Sequence, residues 1–257
     1  MTRHDAAAST TSTPPEAAAA LDAHAHDAGR DRRPGRTATA ADLALFETIE
    51  TRLYTAVISD ALDELGHTTG AMRERLRPLF PDWKVIGWAR TVACIDLFYT
   101  PSNVYDREIE AVDSILPGEV LVVATGESTR NAPWGELLST AALARGARGA
   151  VVDGLVRDAL KIQQLGFPVF ATGLKPVDSK GRGIVIDYNV PVCCGGVIVT
   201  PGDLVVGDYD GIVVVPAAVV DEVIRLAAEK VTRENHSRAE LKAGAYLRDV
   251  FAKYGVL

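Results

Sequence analysis

Two short segments of the 257-residue chain bring together residue types that could do chemistry. In residues 151–158 a hydrophobic run ends at Asp153-Gly154 and is followed by the adjacent pair Arg157 and Asp158. That places an acid and a base at the mouth of the next helix, where ligands bind in many α/β proteins. The same pair also reads without chemistry, with Asp158 capping the helix that begins at Ala159 and Arg157 as a solvated charge. In residues 131–140 a loop through Pro133 and Trp134 enters a helix. Its first N–H groups, over Gly135, Glu136, Leu137 and Leu138, lack intrahelical partners and so attract a carboxylate. The plain alternative there is an ordinary helix start, with Trp134 as a packing residue.

Other chemistries find little material. No Gly-rich dinucleotide or phosphate loop follows a strand, no G-x-S-x-G elbow occurs, and Gly181-Arg182-Gly183 reads as a turn. Only His67 and His236 lie in the body of the chain; His24 and His26 fall in a leading segment that offers no fixed second shell for a metal. The odd trio Cys94, Cys193 and Cys194 has no C-x-x-C spacing, which argues against a disulfide framework and a zinc knuckle. Carboxylate chemistry is favoured by elimination, and carboxylate and water ligands suit Mg²⁺ or Mn²⁺.

Charge narrows the partners. The formal net charge is −7, and residues 1–38 hold five Arg against five Asp plus Glu, so the excess of acid lies on the body. That speaks against a nucleic-acid surface, and an anionic substrate needs a local device such as a metal or a well-placed Arg. No apolar run reaches the roughly 18 residues of a membrane span, and the charged start lacks a signal-peptide core, so the expectation is a cytoplasmic protein with no membrane contact.

The elements that must position these residues follow from periodicity. Residues 1–38, rich in Ala, Thr, Asp, Arg and Pro, are expected to form a disordered tail, and residues 39–257 a single domain. Leu43, Phe46, Ile49 and Leu53 share one face of a first helix, and a second carries Val57, Leu62 and Leu65 to Gly66. Strands are expected at 85–98 and 119–124. Then come a helix at 134–145, a strand at 149–153, a helix at 159–165 and a strand at 168–171. After Gly183 short strands at 185–187, 196–200, 203–206 and 211–215 alternate with tight turns. An amphipathic helix at 217–231 and a further helical stretch after Ser237 close the chain.

Taken in order, Gly135-Glu136-Leu137-Leu138-Ser139, Arg145-Gly146-Ala147, Asp153-Gly154 and Arg157-Asp158 resemble the signature of the RraA-like family. That family includes 4-hydroxy-4-methyl-2-oxoglutarate aldolases and the RraA inhibitors of ribonuclease E. The run from Pro191 through Cys193-Cys194-Gly195-Gly196, with Pro201-Gly202-Asp203 and Asp208-Tyr209-Asp210-Gly211, is similar to the same family, and the resemblance covers about residues 40–235. It implies an α/β fold, a swivelling β/β/α layered sandwich. It also implies that Asp158 is the protein's ligand to Mg²⁺ or Mn²⁺, that Arg157 holds the keto-acid end of a small oxo-acid substrate, and that the N–H groups of Gly135, Glu136, Leu137 and Leu138 grip its carboxylate. Glu234, late in the chain, is the candidate for an acid supplied by a neighbouring subunit, with a solvated helix-end charge as its plain alternative.

The reaction so implied is metal-dependent aldol cleavage of a 4-hydroxy-2-oxo acid to pyruvate, with oxaloacetate decarboxylation as a companion. Both pass through a pyruvate enolate, whose charge a divalent cation and Arg157 stabilise. A water oriented by Asp153 or Glu234 is expected to take the substrate hydroxyl proton. Two alternatives stay open: a non-enzymatic regulator of ribonuclease E, and a Schiff-base aldolase using Lys161, Lys175 or Lys180. A homo-oligomer, a trimer or hexamer, is expected by resemblance. The apolar face of Val219, Val220, Val223, Ile224 and Ala227, continued by Leu241, Tyr246, Leu247, Val250 and Phe251, either needs a partner or covers the chain's own sheet.

Overall fold

Short β-branched runs broken by Gly and Pro give this chain strands that can be buried on both faces. The computed structural model describes residues 35–256. Most of the expected tail, and the His24 and His26 pair, lie outside the described residues. Helices α1 (Ala40–Arg52) and α2 (Thr55–Glu64) come first, then the two-residue strand β1 (Arg77–Pro78) and the long β2 (Val85–Asp96). The middle of the chain alternates α3 (Asp106–Asp113), β3 (Glu119–Ala124), α4 (Glu136–Ala144), β4 (Gly149–Val156), α5 (Ala159–Leu165) and β5 (Val169–Leu174). Strands β6 (Gly183–Tyr188), β7 (Val192–Cys194), β8 (Val197–Val199), β9 (Leu204–Asp208) and β10 (Gly211–Val215) follow, and α6 (Val220–Lys242) and α7 (Leu247–Tyr254) end it.

Strands β2, β3, β4 and β5 lie side by side in parallel, the arrangement that helical crossovers permit. On the other side of β2 come β9 and β10, antiparallel, while β6 pairs with the far end of β2. The sheet then nearly closes on itself. Arg77 and Pro78 pair with Ala171 and Phe170 of β5, and a few residues earlier Ala71 bridges Val213 of β10. Met72 N–H donates to the Ile212 carbonyl at 2.9 Å, Val214 N–H to that of Gly70 at 2.9 Å, and the Arg77 guanidinium to that of Asp210. Residues 70–78 thus act as a clasp between the two ends of the sheet.

Alternation along each strand sorts side chains into layers. In β3 every residue is buried: Val120 and Val122 join an inner cluster with Val151, Phe170, Val205 and Val214, while Leu121 and Val123 join an outer one. The β7–β8 hairpin covers the inner face through Val192, Cys194, Val197 and Val199. Outside, the α4 and α5 residues Ala142 and Ile162 pack on one part of the sheet, and α1, α2 and α6 on the part formed by β2, β9 and β10. The result is the expected layered α/β sandwich.

Particular expectations change. Leu43 is 49% exposed, whereas Phe46 and Ile49 are buried. Helix α3 was not foreseen; only Ala111 and Val112 of its eight residues are buried, too few to mark a period. The break expected after 231 is absent, and α6 runs on through a charged stretch in which Glu234 and Arg238 lie 3.7 Å apart, four residues apart in sequence. Its apolar residues Val220, Val223, Ile224 and Ala227 are spent on the chain's own core, so of the two readings of that face the second is the observed one. Leu241, Tyr246, Leu247 and Phe251 remain exposed. Among the described residues no helix is long and apolar enough to cross a membrane.

Candidate active site

The end of β4 is where the sheet's regularity gives way. Its register with β5 shifts between Val152 and Leu155, and at Gly154 a Cβ would stand 2.6 Å from the Thr125 hydroxyl oxygen, so only glycine fits. Asp153, just before it, is 1% exposed and accepts from Thr125 N–H at 2.5 Å, Thr125 O–H at 2.9 Å and Gly195 N–H at 3.3 Å. Its carboxylate ties β3, β4 and the inner hairpin together. This corrects the expectation that Asp153 orients a catalytic water, since a buried carboxylate with its donors in place does not face a substrate.

Asp158 follows in the left-handed region, at φ 61° and ψ 28°, which short polar side chains tolerate but rarely adopt without cause. It stands at the N-cap of α5, yet its side chain makes no capping hydrogen bond to that helix. The carboxylate turns instead toward the start of α4, where its Oδ2 accepts from Glu136 N–H at 3.4 Å and lies 4.0 Å from Arg157 Nε. The capping alternative is therefore not what Asp158 does. Both side chains of the pair are about 40% open to solvent, Arg157 at 39% and Asp158 at 41%.

The loop facing them is locked by packing. Trp134 is buried against Phe167, its indole N–H donates to Ser139 Oγ at 2.9 Å, and its backbone bridges Val156. Arg157 N–H donates to the Trp134 carbonyl at 3.0 Å. Gly135 has an extended φ of −158° that any residue could take; its need for glycine is the close approach, because a Cβ there would meet Asp158 Oδ2 at 2.9 Å and Arg157 Cγ at 3.1 Å. The N-cap Gly135 has no side chain to cap α4; the Asp158 carboxylate takes the first N–H, that of Glu136, and the N–H groups of Leu137 and Leu138 have no partner within the helix.

Three residues that the sequence reading missed complete the cleft. The Arg157 guanidinium lies 3.1 Å from Asp178 Oδ1, and the Tyr105 hydroxyl donates to Asp178 Oδ2 at 2.6 Å. Burial pushes the Asp178 carboxyl up, but the Tyr105 hydroxyl, the Arg157 charge and the N–H groups of Ser179 and Lys180 outweigh it and hold it below the usual range. The hydrogen bond to Asp178, with burial, pushes the Tyr105 phenol up to about 12. Glu108, one turn along α3, is half-buried; burial pushes its carboxyl up to about 7, the Asp178 charge adds to this, and Arg157 offsets part of it. Tyr105 and Glu108 are three apart and so share a helix face, a signal readable only once α3 is known.

The cleft between α3, α4 and the β4 end measures about 320 Å³, small enough for a keto acid, and Arg157 and Asp158 also border a neighbouring depression of about 290 Å³. Gly135, Glu136, Leu137, Leu138, Arg157 and Asp158 thus meet in one place. Glu234 does not join them within the chain. It lines a separate and larger cavity of about 840 Å³, where the Tyr54 hydroxyl donates to its carboxylate. Lys161 and Lys180 are exposed, and Lys175, beside the depression, donates to the Thr129 carbonyl at 2.7 Å.

Comparison with known proteins adds an independent line. A family model described as RraA-like, Aldolase/RraA, matches residues 55–214, a span that holds the whole cleft and stops short of Glu234. A Halalkalibacterium halodurans protein, provisionally named a 4-hydroxy-4-methyl-2-oxoglutarate aldolase, is 38% identical over 186 residues, 72% of this chain and 81% of its own. One from Ectopseudomonas mendocina with the same provisional name is 44% identical over 111 residues, 42% of this chain and 67% of its own. The solved structure of Streptomyces coelicolor RraAS2, described as an unusual member of the RNase ES inhibitor RraA protein family, matches with a TM-score of 0.71 at 32% identity. That match covers 80% of this chain and 100% of the other.

Proposed function

The chain belongs to the RraA-like family, and on that footing we propose that it is a carbon–carbon lyase. It cleaves 4-hydroxy-4-methyl-2-oxoglutarate or a related 4-hydroxy-2-oxo acid to pyruvate with the help of a divalent metal, and decarboxylates oxaloacetate at the same site. The observation that carries this reading is the Asp158 carboxylate: unused by its own helix, it turns to the first N–H of α4, that of Glu136, with Arg157 beside it. The provisional aldolase names of the relatives support it.

Among the described residues no three His, Cys, Asp or Glu side chains group as a metal cage. A single half-exposed carboxylate, Asp158, fits instead the habit of Mg²⁺ and Mn²⁺ of taking one or two protein carboxylates and filling the shell with water and substrate. A bound cation supplies Lewis acidity at the keto group. The chain's own residues do the rest. The N–H groups at the start of α4, over Gly135, Glu136, Leu137 and Leu138, hold the substrate carboxylate at the positive end of the helix. Arg157, fixed from behind by Asp178, presents its planar fork to the oxygen on which enolate charge develops. Free thiols at Cys94, Cys193 and Cys194 suit a cytoplasmic setting.

Pyruvate release from oxaloacetate and from a 4-hydroxy-2-oxo acid tests this. Activity is expected with Mg²⁺ or Mn²⁺, to vanish with a chelator and to return when metal is restored; full turnover in excess chelator sinks the mechanism. The likeness to RraAS2 supports a second reading, a regulator that binds a ribonuclease. A chain that inhibits a ribonuclease but releases no pyruvate decides for it.

A further inference from the structure

Glu108 lines the cleft yet takes no part in the reading above. It borders three spaces: the cleft, with Arg157 and Asp158, an inner cavity of about 20 Å³ beside Cys94, Asp96 and Ser128, and an apolar void of about 10 Å³ against Val123 and Trp134. The inner cavity has room for about one water. Among the described residues its carboxyl makes no hydrogen bond and no ion pair. A carboxyl so placed gains less than usual from being charged, because burial takes part of its water and no donor replaces it. A structural carboxylate is held as Asp153 is, by N–H and O–H donors; Glu108 is held by none.

The proposed reaction has a step that none of the assigned residues performs. Breaking the bond between carbons 3 and 4 leaves its electron pair in a pyruvate enolate, and carbon 3 must gain a proton before pyruvate can leave. We propose, resting on the lyase reading above, that Glu108 is the proton donor to carbon 3 of that enolate. In decarboxylation, carbon dioxide leaves, the enolate reverts to the ketone as carbon 3 takes the Glu108 proton, and the carboxylate regains a proton from solution. One proton is consumed per turnover, as the overall reaction requires. In aldol cleavage the proton lost by the carbon-4 hydroxyl balances the one taken up, so none is consumed. Run in reverse, the Glu108 carboxylate removes a methyl proton from bound pyruvate, which then exchanges with solvent.

The groups around Glu108 suit a proton carrier. Tyr105 stands on its own helix, Cys94 and Asp96 come from β2, Glu136 from α4, Arg157 and Asp158 from the end of β4, and Asp178 from the loop after β5. From β6 only Gly183, Ile184 and Val185 line the inner cavity, none of them titratable. With its carboxyl pushed up to about 7, Glu108 has both forms available near neutrality, where donor and acceptor are equally useful.

The test is exchange of the pyruvate methyl protons in D₂O with Mg²⁺, followed by proton NMR. Wild-type exchange is expected to rise with pH between about 6 and about 8, as the carboxylate forms, and Glu108→Gln to lower it about 100-fold or more. Oxalate binding with Mg²⁺, which mimics the enolate without needing a proton, is expected to be unchanged in Glu108→Gln and shows that the site is intact. Exchange in Glu108→Gln within a factor of about three of wild type, or a wild-type profile flat over that pH range, overturns the proposal while leaving the lyase reading standing. A wild-type protein that neither exchanges pyruvate nor decarboxylates oxaloacetate removes both together.

Discussion

At the scale of single residues, the cleft works by giving neighbouring carboxyls different surroundings. Asp158 is half exposed beside a guanidinium and a helix start, Asp178 is held ionised by its partners, and Glu108 is left without any. Asp158→Asn keeps the size and the tolerance of a left-handed backbone while removing the charge. It should leave the fold intact by circular dichroism, weaken Mg²⁺ binding in calorimetry and cut turnover about 100-fold or more. Arg157→Lys keeps a charge but loses the fork that spans Asp178 and a keto acid, so turnover should fall about 10- to 100-fold with little change in metal affinity. Glu108 also leaves a mark on stability. Its folded value, about 7, lies above the ordinary 4.5, so the native state holds a proton that the unfolded chain releases. The stability it contributes is complete below 4.5 and is lost as pH rises toward about 7. Glu108→Gln lacks that loss, so its melting temperature should gain on wild type across this window and then keep a constant lead. A lead that does not vary with pH would contradict the withdrawn environment assigned to Glu108.

At the scale of elements, the sequence disclosed what repeats and hid what does not. The β-branched runs of β3, β4 and β10 were legible because burial on both faces demands such runs, and the Pro-Gly and Asp-Gly turns mark where β3 and β10 begin. Gly135, Arg157 and Asp158 stood out because their motifs are contiguous, although pattern alone left ordinary helix starts open and only the family resemblance gave them roles. Tyr105, Glu108 and Asp178 were not, since they meet only when α3 packs beside the β5–β6 loop, and α3 buries too little to show a period. The role of Asp153 was misread for a related reason: its donors, Thr125 and Gly195, are distant in sequence and join it only through the layering. Asp153→Ala leaves both buried N–H groups without an acceptor and should cost about 1–3 kcal/mol in urea denaturation. The fraction that folds should keep its oxalate affinity, in contrast to Asp158→Asn.

At the scale of the whole molecule, the first half of α6 is satisfied by the chain's own core, and the homo-oligomer we propose would use what is left. Leu241, Tyr246, Leu247 and Phe251 stay exposed near the C-terminus, and Glu234 lines a large cavity that Leu241 and Leu247 also border. A trimer or hexamer that carries Glu234 into a neighbour's cleft is the assembly expected. Mixing inactive Asp158→Asn with inactive Glu234→Gln should restore part of the activity, because some boundaries then hold two intact halves. A monomer by sedimentation, or no recovery from subunits that do exchange, counts against it. The clasp at residues 70–78 bears on how the chain is made. Strand β2 emerges early from the ribosome, but its antiparallel neighbour β9 and the β10 edge that meets the clasp are synthesised only after the whole parallel half. Until then one flank of β2 stands as an open template for other strands, and closure waits on contacts far apart in sequence, which form slowly. The nascent chain is therefore at its most aggregation-prone just before its last strands appear, and growth at lower temperature or slower synthesis should raise the soluble yield without altering the finished protein.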